Sequence, residues 1–445
     1  MTQGAQDPAK PLSESAKHRP VVYDIARLAT RALNPNPNGI DRVDFAMARH
    51  FLGGGRRERQ ALYCSLLGPR LAPARRAMQA VEEIEACWRE SVSPESDPAF
   101  EGVIAALGRS GAEAQPARRI VRPRLERAPQ NWSALRRWAL NPGESLAGVP
   151  QGAAYVNASQ FLLDKPWFTK WLSGRPDVKP VFFVHDLLTV DCPEFFWEDE
   201  AKKGPRRLTA IVRLGAGAVV GSQTLAKRLR AFASSLGRPQ LPICVASLPP
   251  PPIFAEPAEP DPSLADKSYF VVCGTIEPRK NHLLLLNLWR RLADRHGAAT
   301  PKLVVIGKRG WLNRNVVDMM SRCPALRANV IEASGLSTPG LRSLLAGARA
   351  LLMPSFAEGY GLPVAEAIAA RIPVIASDLE VFREFGGEGP VYLDPLDGIG
   401  WLHAIEAFAQ ERSSAREDAL ARVSRVRLGG ADAFFSALDG FIDAL

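Results

Sequence analysis

The chain has 445 residues, too many for one ordinary compact domain and comfortable for two. With 46% apolar and 23% charged residues, each half can bury a core, which excludes global disorder. No apolar run reaches the roughly 18 residues of a membrane-spanning helix, and a net charge of +9 points to anionic partners. Residues 1–19 are polar, lack the apolar region of a secretory signal and read as a disordered tail. Six scattered cysteines (Cys64, Cys87, Cys192, Cys244, Cys273, Cys323) show no CxxC or His/Cys spacing. The expectation is reduced, cytoplasmic thiols rather than a disulfide framework or a zinc site.

After the tail, short apolar runs alternate with longer amphipathic stretches. The pattern predicts strands over 21–26, 60–66, 153–157, 180–184, 218–221 and 243–248, and a helix over 41–52. Such runs, separated by helices, indicate parallel strands covered on both faces. The stretch 92–150 is irregular. Within it, arginines 118, 119, 122, 124, 127, 136 and 137 face one acid, Glu126, and are interleaved with Ile120, Val121, Leu125, Trp132, Leu135 and Trp138. Between Arg118 and Trp138 this mixture suits peripheral contact with an anionic bilayer, where arginine stems snorkel and tryptophan sits at headgroup level. A solvated helical face or an insertion is the plainer reading. Nucleic acid is disfavoured, since no RNP, zinc-finger or helix-turn-helix signature accompanies the charge.

Seven prolines between Pro249 and Pro262 form a stiff linker, because proline neither donates to a ladder nor continues a helix. The boundaries are therefore a tail over 1–19, a first domain over 20–248, a linker over 249–266 and a second domain over 267–445, whose last helix is free to pack back on the first. In the second domain the pattern predicts strands over 269–273, 302–306, 329–333, 350–353, 374–376 and 391–393. Helices are predicted over 282–296, 313–321, 338–347, 363–370 and 378–385. The fold class is α/β, with two doubly wound domains and a ligand cleft between facing strand ends.

The most informative segment is Pro354-Ser-Phe-Ala-Glu-Gly-Tyr-Gly-Leu-Pro-Val-Ala-Glu. A strand ends at Met353, a loop with Gly359 and Gly361 comes next, and Pro363 fits the first position of a helix. Free backbone N–H groups and a positive helix end then face whatever lies above the strand, as anion binding requires. Glu358 in the loop and Glu366 one turn into the helix flank that end. Taken singly, Glu366 complements a helix dipole and Glu358 is a surface acid; the combination favours function.

This segment resembles the E-x7-E motif of retaining glycosyltransferases of family 4, the "group 1" set with the GT-B fold. Gly274-Thr-Ile-Glu-Pro-Arg-Lys-Asn-His resembles that family's donor-phosphate loop, and Val304-Val-Ile-Gly-Lys-Arg-Gly-Trp its second strand and turn. Ile372-Pro-Val-Ile-Ala-Ser resembles the strand after the motif helix. In the first half, Asn38-Gly-Ile-Asp-Arg-Val and His185-Asp-Leu match more loosely. The resemblance implies that Glu366 binds the nucleotide ribose, that Glu358 lies beside the donor sugar and that Lys280 neutralises the diphosphate. Charge-assisted bonds to ribose hydroxyls, and fixed cations facing a leaving diphosphate, are chemically sensible in these roles. Arg279 stands in for an arginine usual where this chain has Thr275, and its planar fork suits phosphate. Thr275, Gly359, Tyr360, Gly361 and Leu362 are expected to line the donor site. His185 is expected to contact donor sugar or acceptor, with a backbone-satisfied histidine as the plainer reading. Gly39 and Arg42 are candidates for contact with acceptor or phosphate. Arg371 replaces a glycine usual before the Ile-Pro-Val strand.

The implied activity is transfer of a hexose, mannose favoured, from a nucleoside diphosphate sugar to a saccharide or lipid-linked oligosaccharide, with retained configuration. No cofactor is expected. No metal is expected either, because the chain has no D-x-D triplet and Arg279, Lys280 and the helix end would replace the cation. Two rivals stand beside this reading. One is another GT-B enzyme, such as a sugar-nucleotide epimerase or a phosphorylase; the other is a non-catalytic nucleotide-sugar-binding subunit.

Overall fold

The computed structural model describes residues 18–31, 37–55, 57–88, 92–108, 119–121, 138, 140–256 and 260–445. Each domain is built on one seven-stranded sheet. The first comprises β1 (Val21–Asp24), β2 (Arg59–Ser65), β3 (Gly68–Pro73), β5 (Ala154–Asn157), β6 (Lys179–Val184), β7 (Gly217–Val220) and β8 (Ile243–Val245), in the order β3-β2-β1-β5-β6-β7-β8. Only the β2–β3 hairpin at its edge is antiparallel, an element the sequence pattern did not anticipate. The second comprises β9 (Tyr269–Cys273), β10 (Lys302–Ile306), β11 (Val330–Ser334), β12 (Leu351–Met353), β13 (Val374–Ser377), β14 (Val391–Leu393) and β4 (Ile120–Val121). Its order is β14-β13-β12-β9-β10-β11-β4, all parallel.

Helices cover both faces of each sheet, so the strands read as continuous apolar runs. Val21, Val156, Val181 and Phe183 face one core of the first domain, and Val22, Tyr155, Phe182 and Val184 face the other. The second domain is divided in the same way by β9 and β10. In each sheet the order reverses at an inner strand, β1 or β9, and the crevice above such a reversal is where α/β proteins bind ligands. Strand ends are set locally. β1 stops at Asp24 because its carboxylate accepts the Ala26 N–H (2.8 Å) and starts a helix.

Two parts of the chain depart from the boundaries read along the sequence, and the last helix packs back on the first domain as that reading allowed. The helix Pro98–Leu107 and β4 come from the first half but belong to the second domain. Phe100, Val103 and Leu107 are buried in its core, β4 pairs with β11, and the buried Asp97 accepts the Ser337 N–H (2.6 Å). The helix Ala431–Ala444 returns to the first domain, where Phe434, Leu438 and Ile442 are core residues. His18 and Arg19, expected in a disordered tail, are tied to Asp443 of that helix at 2.9 and 3.0 Å. The proline run 249–252 carries the chain from Leu248 in one core to Phe254 in the other.

Most of the arginine-rich stretch, Arg118 and residues 122–137, lies outside the described residues. Its described members serve the fold. Arg119 pairs with Glu332 (3.1 Å), Ile120 and Val121 form β4, and Trp138 packs edge-on against Tyr63 with ring centroids 4.7 Å apart. Trp138 is 9% exposed, so it is not a headgroup-level anchor; its large apolar area is better buried by packing.

Arg371 adopts the left-handed conformation, φ 58°. The Ile372 N–H reaches the Ala367 carbonyl (2.8 Å) and the Arg371 N–H the Ile368 carbonyl (3.0 Å), the helix ending at which glycine is preferred. Arg371→Gly is therefore expected to stabilise the second domain by about 1 kcal/mol, seen as a higher urea midpoint.

Candidate active site

A cavity of about 790 Å³ opens between the domains, at the carboxyl ends of their strands. The loop after β9 supplies Gly274, Thr275, Glu277, Arg279 and Lys280. The loop after β12 supplies Glu358 to Leu362, and the first domain supplies Gly39 and His185.

The floor is an ion cluster. Lys280 Nζ donates to Glu358 Oε1 (2.5 Å), Arg279 Nη1 to Glu358 Oε2 (2.8 Å), and Ser355 Oγ to Glu358 Oε1 (2.7 Å). The two loops are sewn together by the Phe356 N–H, which donates to the Arg279 carbonyl (2.8 Å). Burial alone would push the Glu358 carboxyl up, but Arg279, Lys280 and the bonds from Lys280 and Ser355 outweigh it and hold it at about 2. Burial depresses the Lys280 ammonium against the pull of Glu358. The guanidinium of Arg279 is kept charged by Glu358 and Glu277 despite burial. Glu277, 3% exposed, sits 2.7 Å from Arg279 Nε with no hydrogen bond to either oxygen among the described residues, and burial raises its carboxyl. Gly274 is extended towards positive φ (148°), and a Cβ there would lie 3.3 Å from the Lys280 side chain. The glycine thus leaves the lysine room to enter the cluster.

Glu366 lies one turn into the helix Leu362–Ala369, 2% exposed. Pro363 stands at the second helical position rather than the first, because Gly361 (φ 97°) caps the helix and Leu362 begins it. Arg42, expected near phosphate, donates from Nη1 to Glu366 Oε1 (3.1 Å) across the domain boundary. It sits in the helix Gly39–Gly53, whose start is fixed by a capping box between Asn38 and Asp41. Beyond Glu366 a second cavity of about 580 Å³ lies between Trp88, the proline run and Phe434.

The remaining candidates sit where the domains touch. A Cβ on Gly359 would lie 2.5 Å from the His185 carbonyl, so only glycine permits that approach. Gly39 is packed against Leu362 across the cleft. Tyr360 is buried, stacks on Phe385 (5.0 Å) and donates its hydroxyl to the Leu248 carbonyl (3.0 Å), so its ring is largely a strut between domains. His185 lines the cavity, and its Nε2 lies 2.6 Å from the Ala158 carbonyl. A carbonyl only accepts, so Nε2 carries the proton and Nδ1 is the basic nitrogen. Burial lowers this imidazole to about 4, against the effect of the Ala158 bond, so it is neutral near pH 7. Among the described residues no group of three His, Cys, Asp or Glu has metal-holding geometry.

Sequence reasoning missed one wall. Trp197, Glu200, Lys203 and Arg207, from the helix Glu198–Leu214 and its N-cap, line the cavity together with Trp311 from the opposite domain. The only signal was the unusual run Phe195-Phe-Trp-Glu-Asp-Glu-Ala-Lys-Lys.

Two doubly wound α/β domains facing across a cleft define the class of fold, the GT-B fold. Comparison with known proteins agrees. Residues 257–397 match the family model for glycosyl transferases group 1. The serotype-specific mannosyltransferase WbdA of Escherichia coli is 33% identical over 164 residues, 34% of this chain and 19% of WbdA. The O-antigen chain mannosyltransferase B of Escherichia coli is 28% identical over 251 residues, 55% of this chain and 64% of the relative. The chain thus spans less than two thirds of either. Among solved structures, Anabaena Alr3699/HepE in complex with UDP and glucose covers 96% of this chain and 100% of its own at TM-score 0.57 and 12% identity. Sucrose-phosphate synthase from Thermosynechococcus elongatus covers 95% and 97% at TM-score 0.56 and 16% identity. The family match lies wholly in the second half of the chain, and the likeness to the solved structures extends over both domains.

Because the folded Glu358 carboxyl titrates near 2 and the ordinary value is 4.5, its ionised form stabilises the native state above pH 4.5. That contribution is lost as pH falls from 4.5 through 2. Glu358→Gln is expected to be less stable than the natural chain at neutral pH by on the order of 3 kcal/mol. The gap should narrow as pH falls below 4.5 and close only below about pH 2 in urea unfolding curves collected across pH.

Proposed function

We propose that this protein is a retaining glycosyltransferase that moves a hexose, mannose favoured, from a nucleoside diphosphate sugar to a saccharide or lipid-linked oligosaccharide. The observation that carries this reading is the buried Arg279–Lys280–Glu358 cluster on the first cavity, with Glu366, one turn along the adjoining helix, on the second cavity that shares Val43, Leu248 and Leu362 with it. The names of the relatives, mannosyltransferases of O-antigen and serotype synthesis, support the sugar and the polysaccharide setting.

In this reading the donor diphosphate takes the place of the Glu358 carboxylate on Lys280 and Arg279. As the glycosidic bond breaks, charge builds on the leaving diphosphate, and two cations already held in place stabilise it without reorganisation. They do the work for which other enzymes recruit a divalent ion, so we propose no metal and no cofactor. Glu366 accepts ribose hydroxyls, exchanging part of its bond to Arg42 for charge-assisted bonds to the nucleoside. Glu358, keeping its bond from Ser355 and still close to both cations, lies beside the anomeric carbon, where a negative charge favours the cationic character that develops there. His185, neutral and fixed by Ala158, lines the sugar side of the cleft. No described helix is long and apolar enough to cross a membrane. The described cysteines are free, in keeping with a cytoplasmic site of action.

A thermal-shift screen against GDP, UDP, ADP and dTDP with their sugars checks the donor. A nucleotide at 100-fold over its Kd is expected to add about 2.7 kcal/mol of stability, and the base giving the largest shift identifies the donor. In steady-state kinetics, Glu366→Ala is expected to weaken donor binding by roughly ten- to hundredfold with a smaller change in turnover. Glu358→Gln should lower turnover by at least about a hundredfold. Equal losses of both parameters in both variants would contradict the division of roles.

A further inference from the structure

The second wall of the cleft is not explained by the donor groups. Asp186 lines the cavity with Arg279, Glu358 and Arg207. Burial raises its carboxyl, and Arg279 and, more weakly, Arg207 pull it down. Beyond Arg207 the cavity runs along the helix Glu198–Leu214, whose Glu200, Lys203 and Arg207 share one face at helical spacing. This helix is seated closely. A Cβ on Gly204 would overlap the Thr189 hydroxyl, so the charged face has a fixed distance from the cleft floor.

Opposite and above stand aromatic rings from both domains. Trp311, on the loop after β10, donates from Nε1 to the Phe195 carbonyl (2.7 Å) and stacks on Phe196 with centroids 6.1 Å apart. Phe195 in turn stacks on Phe356, beside the cation loop, at 5.9 Å. Trp197 caps the helix and is 59% exposed, an indole left in water at the mouth of a cavity.

We propose that this arm, between Trp197, Trp311 and the Glu200–Lys203–Arg207 face, binds the acceptor as a neutral pyranoside; the proposal rests on the transferase reading above. A pyranose has one apolar C–H face and a rim of hydroxyls, each able to donate and accept. The arm offers the counterpart: flat indoles for the apolar face, and carboxylate acceptors beside ammonium and guanidinium donors for the rim. Its charge balances, since Asp199 and Glu200 match Lys203 and Arg207 and two of these pairs already contact one another. A phosphate or another anion would meet as many acids as bases, so the arm favours an uncharged ligand. Because Trp311 comes from the second domain and Trp197 from the first, the platform is complete only when the domains are together. Acceptor binding is thereby coupled to the closed cleft that excludes water.

Saturation-transfer NMR on the full chain, in the presence of GDP or UDP, tests this with methyl α-mannoside and α-mannobiose as probes. Transfer to sugar ring protons is expected, with α-mannobiose affinity falling at least tenfold in Trp197→Ala and in Trp311→Ala while the nucleotide Kd moves less than twofold. Trp311→Phe, which keeps a ring but loses the bond to Phe195, should keep most of the affinity. If Trp311→Ala unfolds, Trp197→Ala carries the test. Nucleotide binding with no transfer to either sugar would overturn the proposal. So would sugar affinity unchanged in Trp197→Ala, or displacement of α-mannobiose by equimolar inorganic phosphate. Loss of nucleotide binding in the natural chain would instead overturn the donor reading.

Discussion

The structure turns on one buried arrangement, a carboxylate held by two cations at the base of the interdomain cleft. Glu358, Arg279 and Lys280 come from two loops of the second domain, and each would be costly to bury alone. Together they are mutually satisfied, so two positive charges can be stored in a place water scarcely reaches. A diphosphate is the kind of ligand such a store suits, being a doubly charged group with oxygens for both donors. The cluster also explains the glycines around it. Gly274 leaves space for the lysine and Gly359 lets the acidic loop press against the His185 backbone. In this sense local backbone chemistry serves charge placement.

The second constraint is the way the domains are held. Besides the proline run, the helix Pro98–Leu107 with β4 ties the first half of the chain into the second sheet, and the helix Ala431–Ala444 ties the end of the chain into the first core. Glu384 of the second domain accepts the Gln223 and Thr224 N–H groups (2.5 and 2.9 Å), capping a first-domain helix. Arg42–Glu366 and Tyr360–Leu248 add two more contacts across the cleft. These bonds hold the two domains together, so residues of both line the first cavity, as a reaction between two separately bound substrates requires.

Much of this was legible in the sequence where local rules and tertiary context agree. The helices His282–His296 and Thr338–Gly347 begin and end where periodicity places them, and the glycine loop with its two acids announced the site. The crossing of β4 was not legible. A two-residue strand carries no periodic signal, and its partner β11 lies some two hundred positions away. The pairing of Arg42 with Glu366 was hidden for the same reason: neither neighbourhood names the other. The aromatic and charged wall around Trp197 and Trp311 left only a compositional trace, because it is assembled from two domains. Arg371 shows the opposite case, a departure visible in sequence whose consequence, a left-handed residue at a helix end, needed coordinates.

The most direct test of the ion cluster as a diphosphate holder is calorimetric titration of GDP and UDP into the natural chain, Lys280→Met and Glu358→Gln. If Glu358 occupies the cations until the donor arrives, removing its charge should tighten nucleoside diphosphate binding, and removing the lysine should weaken it at least tenfold. Affinities that are the same in all three proteins, or a Glu358→Gln variant that binds more weakly than the natural chain, would contradict the account.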